Sequence, residues 1–525
     1  MSDAHNDSLR RSIKRRDLLA LTGGAAIALG FPRTSFAQSA TPKRGGRIRV
    51  GIVDGQTTES LDPATVSSTH MILLMFGAVY NNLAEISASG DLVPELAESW
   101  EASSDAATWR FKIRKGVEFH NGKSLTPEDV VASINHHRGP NSTSAARVIG
   151  KMISEVTVDG TDGVVIRLKG GNSDFPYMMT DYHLVIMPSQ DGTADWRAGV
   201  GTGGYRLDKL NPGVGSTARR FENYWKPDRA HFDEIELVVV NDGTARIEAI
   251  MSGNLDVINR VDATSVDQLR QRNNIVIEEA TGRRHISIAM RCDTAPFTDV
   301  NVRLALKLAI DRNLVVKDIL RGHGKVGNDQ PIAPIDRFFD ADIPQRVYDP
   351  DKARFCLKKA GMSDLSVDLS TSDAPYAGAV NTAVVFAAAA KKAGININVI
   401  REASDGYYSN IWLKKPFVVS VWAGRPTADN IFSVVYARDA AWNETHWNNP
   451  RFNDLLVQAR AELDVAKRKA MYAEAQLLVR DDGGAIIPAF MNFVDARSAK
   501  LAHSGKIGSN AELDGWKLLE RWWFA

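Results

Sequence analysis

Cysteine is nearly absent from this chain: Cys292 and Cys356 are the only two in 525 residues. Two cysteines allow one disulfide at most, and nothing in the sequence sets these two within bonding distance. Cys356 falls on an apolar position of a helical pattern, so buried free thiols are expected. Neither has a His or a second Cys at metal-ligand spacing. Excess charge is missing as well: 64 Lys+Arg stand against 63 Asp+Glu, a formal net charge of +1. That balance argues against electrostatic binding to nucleic acid or to an acidic membrane surface. No apolar run approaches the roughly 20 residues of a membrane-spanning helix. The richest stretch in the body of the chain is 383–390. No internal repeat or low-complexity tract is found, and G-x-S-x-G, H-E-x-x-H and C-x-x-C do not occur.

What is present first is a leader. Arg10, Arg11, Lys14, Arg15 and Arg16 precede a weakly apolar run over 18–31 that contains three glycines. Small residues follow around Ser35, Ala37 and Ala40. Basic, apolar and small-residue regions in that order form a bacterial export signal, and the run is too short for an anchor. Arg15-Arg16-Asp17-Leu18-Leu19 resembles the twin-arginine pattern, with an ordinary secretory signal as the alternative. No cysteine lies in the leader, so a lipid anchor is not expected. Residues 1–40 hold six of the basic and three of the acidic residues, so the remainder is also near neutral.

The remainder is too long for one core, because single cores stop growing near about 250–300 residues. Residues 47–50 open a strand. Trp109, Phe111 and Ile113 alternate with charged residues, which predicts a half-buried strand, with 117–119 returning as its hairpin partner. Thr126-Pro127-Glu128-Asp129 carries a cap, a first-turn proline and two acids, and so opens a helix. The mostly apolar run 235–240, broken only by Glu236, predicts a strand buried on both faces, and 285–290 an alternating crossing strand. Asp299 opens a helix whose apolar positions include Leu304, Leu308, Val315 and Ile319, ending at Arg321-Gly322. Strand 367–369, helix 377–392, Gly394 and strand 395–400 form a βαβ unit with parallel pairing. A buried strand over 418–422 leads into a polar loop over 423–430. The fold class is α/β with more than one lobe.

Enzymatic motifs fail on inspection. The 116–124 segment resembles a phosphate-binding loop but is one residue too long and follows no βα junction. Gly201-Thr-Gly-Gly-Tyr205 has its third glycine misplaced for a dinucleotide fingerprint. His136 and His137 are adjacent on a helix and cannot share a face. No catalytic residue, metal site or cofactor is expected. An exported hydrolase with groups gathered from distant sequence stays open as the alternative.

Several segments carry a family resemblance. They are Leu92-Val-Pro-Glu-Leu-Ala-Glu-Ser-Trp100, Trp109 through Gly122, and Thr126-Pro-Glu-Asp-Val130. Further along come Gly201-Thr-Gly-Gly-Tyr205, Asn223-Tyr-Trp225, Ser252-Gly-Asn-Leu-Asp-Val257, Pro296 through Arg303, Ala309-Ile-Asp-Arg312 and Tyr348 through Arg354. In this order they resemble the peptide/nickel/opine class of periplasmic solute-binding proteins, family 5, over nearly all of 46–525. The resemblance implies a two-lobed periplasmic-binding-protein fold with an extra α+β subdomain in the first lobe. Lobe I would comprise 41–78, 200–286 and 486–525, with 79–199 as the subdomain. Lobe II would comprise 287–485, and the hinge would lie near His285 and Ile487. It further implies a monomer in the periplasm that captures a small-molecule solute and hands it to the inner-membrane permease of an ABC importer. No covalent chemistry is implied.

In open α/β sheets ligands bind beyond the carboxyl ends of strands. That places the candidate ligand-binding residues at and after Trp422, namely Arg425, Thr427 and Asp429. In peptide-binding members of the family the third residue after the matching tryptophan is an aspartate that pairs with the peptide amino terminus. Arg425 reverses that charge and suits a carboxylate, unless it points to solvent or pairs with Asp429. Arg284, in Arg283-Arg284-His285, would add positive charge or would be a surface arginine beside a strand. The resemblance also puts His70 on the cleft. The solute expected is anionic or zwitterionic: an opine, a modified amino acid or an atypical short peptide. Ordinary di- or oligopeptides, nickel and haem remain alternatives.

Overall fold

The structure, a computed structural model, describes residues 41–525; the export-signal reading falls on 1–40, outside the described residues. Three sheets organise this part. The first has seven strands in the order Tyr205–Asn211, Gly215–Arg220, Glu234–Val239, Arg47–Ile52, Val257–Ile258, Phe493–Ser498 and Ile275–Ala280. Arg47–Ile52 pairs in parallel with both its neighbours. A second sheet, also of seven strands, runs Gly324–Val326, Ala489–Met491, His285–Met290, Phe417–Trp422, Leu365–Thr371 and Ile395–Arg401, with Ala485–Ile486 paired to His285–Met290. The third is four-stranded and antiparallel: Ala97–Ala102, Thr108–Ile113, Gly163–Leu168 and Ile153–Asp159.

Each sheet has its own core. Ile48, Val50, Tyr205 and Trp522 belong to the first, Phe111, Phe119 and Phe175 to the third. The second sheet has two cores on opposite sides, one around Ile288, Leu306 and Phe386, the other around Trp422, Phe432 and Tyr472. The chain passes between the first and second sheets twice, over 281–284 and at Asn492. The passages lie side by side, with the Met491 N–H donating to the Arg284 carbonyl at 2.7 Å. The fold is the two-lobed α/β arrangement with the added α+β subdomain.

Local chemistry explains several elements directly. Pro127–His136 starts with a capping box between Thr126 and Asp129. The βαβ unit forms from Leu365–Thr371, Ala379–Ala390 and Ile395–Arg401, with Gly394 at φ 75° after the helix. The Gly201-Thr-Gly-Gly-Tyr205 motif is a packing device. A Cβ on Gly201 would come 2.0 Å from the Val79 carbonyl oxygen, and one on Gly203 2.3 Å from that of Ala78. The backbone of Ala78 and Val79 takes that space, and beside it His120 Nε2–H donates to the Gly203 carbonyl at 2.9 Å.

Other expectations give way. Residues 117–119 are not the hairpin partner of Thr108–Ile113, which lies between Ala97–Ala102 and Gly163–Leu168. Glu234–Val239 alternates in burial, because its outer face meets solvent, whereas His285–Met290 is buried at every residue. The two strand readings are therefore interchanged. The helix expected from Asp299 is broken: Val300–Leu308 ends at Ala309, and Asp311 caps a new start at Arg312. The polar loop after Trp422 is shorter than expected, since Thr427 caps a helix over Ala428–Val435. Cys292 and Cys356 are free thiols, the first part-buried and the second buried. Among the described residues no helix is long and apolar enough to cross a membrane.

Candidate binding site

Strand Phe417–Trp422 delivers Trp422 to the end of the second sheet, opposite His285 in the register. Gly424 then lies so close to Arg283 that a Cβ would sit 2.4 Å from the Arg283 Cβ. Trp422 is buried, and its indole N–H donates to Glu444 Oε1 at 2.9 Å. The same carboxylate accepts from Ser287 Oγ at 2.6 Å, Trp412 Nε1 at 2.6 Å and Ser420 Oγ at 2.7 Å. Glu444 is thus a buried carboxylate held by four neutral donors, with no cation in salt-bridge range among the described residues. Around it the rings form a continuous shelf. Tyr408 and Trp412 have centroids 5.7 Å apart, Trp412 and Trp422 5.9 Å, and Trp422 and Trp442 6.2 Å. Tyr408 and Trp442, its two ends, are 46% and 47% exposed.

Arg425 is part-buried on the loop that follows. Its Nη1 makes only long contacts, to the carbonyls of Ala423 at 3.4 Å and Gly424 at 3.3 Å. Burial pushes its pKa down, against the fields of Tyr182 and Asp181. Those two residues follow the subdomain helix Phe175–Met178, so Arg425 looks from the second lobe toward the first. Arg284, in the first passage, donates to the Pro375 carbonyl at 3.2 Å. Burial and then Arg260 lower its pKa, opposed by Tyr408, Glu512 and Tyr376. Neither arginine has a carboxylate within salt-bridge distance among the described residues. Arg260 does, pairing with Glu512 at 2.8 Å. His285, fully buried beside them, is held to about 4 by burial, and Arg425 pushes the same way.

The other candidates are occupied. Both ring nitrogens of His70 are engaged, by Glu59 at 2.8 Å and Ser216 at 2.9 Å, inside the first core. Burial alone would raise the Glu59 carboxyl, but hydrogen bonds from His70, the Gly213 N–H and Ser68 hold it at about 2. Thr427 Oγ1 accepts from the Asn430 N–H as a helix cap. Asp429 is buried against Arg460, which reaches it at 3.0 Å, and so does not pair with Arg425. The structure sets Arg284 in a passage between the lobes and turns Arg425 toward Tyr182 and Asp181, while Trp422 is buried in a second-lobe core and His70, Thr427 and Asp429 are engaged by their own neighbours. Sequence reasoning missed Glu444, Tyr408, Trp412, Trp442 and Tyr182. Their one available signal was large aromatic residues in polar, irregular segments, where a core has no use for them. Among the described residues no cluster of three or more His, Cys, Asp or Glu could hold a metal.

Comparison with known proteins agrees with this architecture. Residues 91–444 match the model for "Bacterial extracellular solute-binding proteins, family 5 Middle". The dipeptide-binding protein of Escherichia coli (strain K12) is 25% identical over 454 residues, covering 78% of this chain and 83% of that one. Heme-binding protein A of Haemophilus influenzae is 26% identical over 442 residues, covering 77% and 80%. The structure of AgaA from A. tumefaciens R10 in complex with agropinic acid superposes with a TM-score of 0.72 at 23% identity, covering 91% of this chain and 99% of that one. A family match over more than half the chain, on a two-lobed frame, leads to one conclusion. The chain belongs to family 5 of the bacterial extracellular solute-binding proteins, the solute-capturing components of ABC importers.

Proposed function

We propose that this protein captures a small anionic or zwitterionic organic solute between its lobes, with Arg425 and Arg284 as the anion-binding groups. The observation that carries the reading is that both guanidiniums are desolvated and have no counter-ion. A buried cation without a partner is costly, and a solute carboxylate would relieve that cost by bidentate hydrogen bonds. The shelf from Tyr408 to Trp442 would take the less polar part of the solute. The relatives' names, which run from dipeptide to haem, do not choose among solutes, because one frame serves different linings. An ordinary dipeptide fits less well, since Arg425 would repel its protonated amino terminus by about 4 kcal/mol at 4 Å and an effective dielectric near 20.

Closure would turn on the passages at 281–284 and Asn492 rather than at His285 and Ile487, because strands His285–Met290, Ala485–Ile486 and Ala489–Met491 belong to the second sheet. The second lobe would then be 285–491, not 287–485, and the first lobe with its subdomain 41–280 and 493–525. The protein acts as a monomer in the periplasm, exported by the twin-arginine route without a lipid anchor. Replacing Arg15 and Arg16 together by lysine would then leave precursor in the cytoplasm.

Thermal-shift screening of the mature protein against a metabolite library identifies the solute, since a ligand bound only by the native state raises its melting temperature. Calorimetry on Arg425→Ala follows. Losing one partner of a buried charge pair costs about 2–5 kcal/mol, so affinity falls roughly thirtyfold or more. Binding within twofold of wild type would remove Arg425 from the site.

A further inference from the structure

Apart from the two passages and the His323–Glu279 pair at 3.0 Å beside them, the hydrogen bonds and ion pairs joining the lobes among the described residues fall on one short segment. It leads from the four-stranded sheet into the helix Phe175–Met178. The Ser173 N–H donates to the Arg460 carbonyl at 2.7 Å. Asp174, with no exposed surface, is reached by Arg337 Nη2 at 3.0 Å and by Arg468 Nη2 at 2.7 Å. Arg337 also donates to Tyr177 Oη at 3.1 Å and lies over the Tyr177 ring at 4.8 Å. The two sides belong to different cores: Phe175 and Met178 pack in the subdomain, Phe338 and Tyr472 in the second lobe.

The arginines are held ready on the second-lobe side. Arg468 Nε donates to the Ala459 carbonyl at 3.0 Å, and its guanidinium lies over the Phe338 ring at 4.9 Å. The Arg460 carbonyl that Ser173 reaches lies in the last turn of the helix Pro450–Ala461, where carbonyls lack an intrahelical partner. Asp174 is the one carboxylate paired with Arg337 and Arg468. If the lobes part, these two arginines lose their shared anion, and Arg468, 2% exposed, is left in a largely apolar setting.

We infer that Ser173, Asp174 and Tyr177 form an interlobe clasp that biases the lobes toward closure by themselves, with Asp174 as the positioning residue. This rests on the two-lobed reading and is independent of the solute's chemistry.

The test uses the mature protein without solute, in small-angle scattering. Asp174→Asn removes the shared charge, and Arg337→Ala, at a residue 39% exposed, weakens the clasp without opening a core. Both should enlarge the radius of gyration by about 1 Å over the roughly 23 Å of a compact chain of this size. Asp174→Glu should stay nearer the wild-type value. Circular dichroism and melting temperature confirm that each variant is folded. Scattering profiles of Asp174→Asn and Arg337→Ala that overlay on wild type would overturn the clasp, whatever solute the cleft accepts. An unfolded Asp174→Asn would leave Arg337→Ala to decide.

Discussion

Replacing Glu444 by glutamine changes one oxygen to an amide nitrogen and leaves shape and volume nearly intact, so the cost is electrostatic and can be counted. Each carboxylate oxygen accepts one indole N–H and one hydroxyl: Trp422 and Ser287 on Oε1, Trp412 and Ser420 on Oε2. Whichever oxygen becomes NH2, one serine can turn and accept, but one indole N–H is left facing a donor. A buried donor left unsatisfied costs about 1–3 kcal/mol, and the new amide has at least one hydrogen in the same position. The bonds that survive fall from charge-assisted to neutral and lose about half their strength. Relief from burying a charge offsets part of this. The net expectation is a loss of about 2–4 kcal/mol in stability, read as a lower urea midpoint at unchanged slope. Trp412 and Trp422 should also show altered fluorescence, because one of them must rotate, and solute affinity should fall with the disturbed shelf. A loss below about 1 kcal/mol with unchanged fluorescence would mean that the carboxylate's charge is not what holds these indoles.

Asp329→Asn should destabilise by about 3 kcal/mol or more in urea unfolding. It would remove the anion that Arg312 reaches at 2.6 Å and Arg346 at 2.8 Å in a fully buried setting. Gly201→Ala should prevent accumulation of folded protein or sharply lower its melting temperature, because the methyl meets backbone at Val79. His137 is held to about 4, chiefly by burial and then by His136 and His183, so the unfolded chain takes up its proton first as pH falls. Stability associated with this group is therefore intact above about pH 6.5 and lost toward pH 4, by roughly 3 kcal/mol. His137→Gln should narrow the gap between its own and wild-type stability over that window, measured as urea midpoints from pH 7 to 4. A gap that does not change with pH would refute the assignment.

Some of this protein could be read one residue at a time. Alternation in 108–113, the capping signals at Thr126 to Asp129, and the strand–helix–Gly394–strand order all depend on residues close in sequence. In each case the element forms as read. Where the reading failed, the deciding partner was remote. Strand Thr108–Ile113 pairs with Gly163–Leu168 because a sheet is completed from fifty residues away, not from the next turn. Glu234–Val239 and His285–Met290 differ in burial because only the second has packed layers on both faces, which an apolar run cannot reveal.

The site divides the same way. Within the proposed site, Trp422 and Arg425 were legible as candidates because Trp422 ends a buried strand and Arg425 follows it, and the end of such a strand is where an α/β sheet opens. Which charges are already spent was not legible. Asp429 belongs to Arg460, thirty-one residues on, and Glu444 to two tryptophans and two serines from three other segments. Sequence alone determined the family and those elements whose signals are local, because propensity, periodicity and motif order are local. Tertiary structure alone decided which arginines remain without a counter-ion. Neutralisation depends on distances of a few ångströms, and those are set only when the lobes pack.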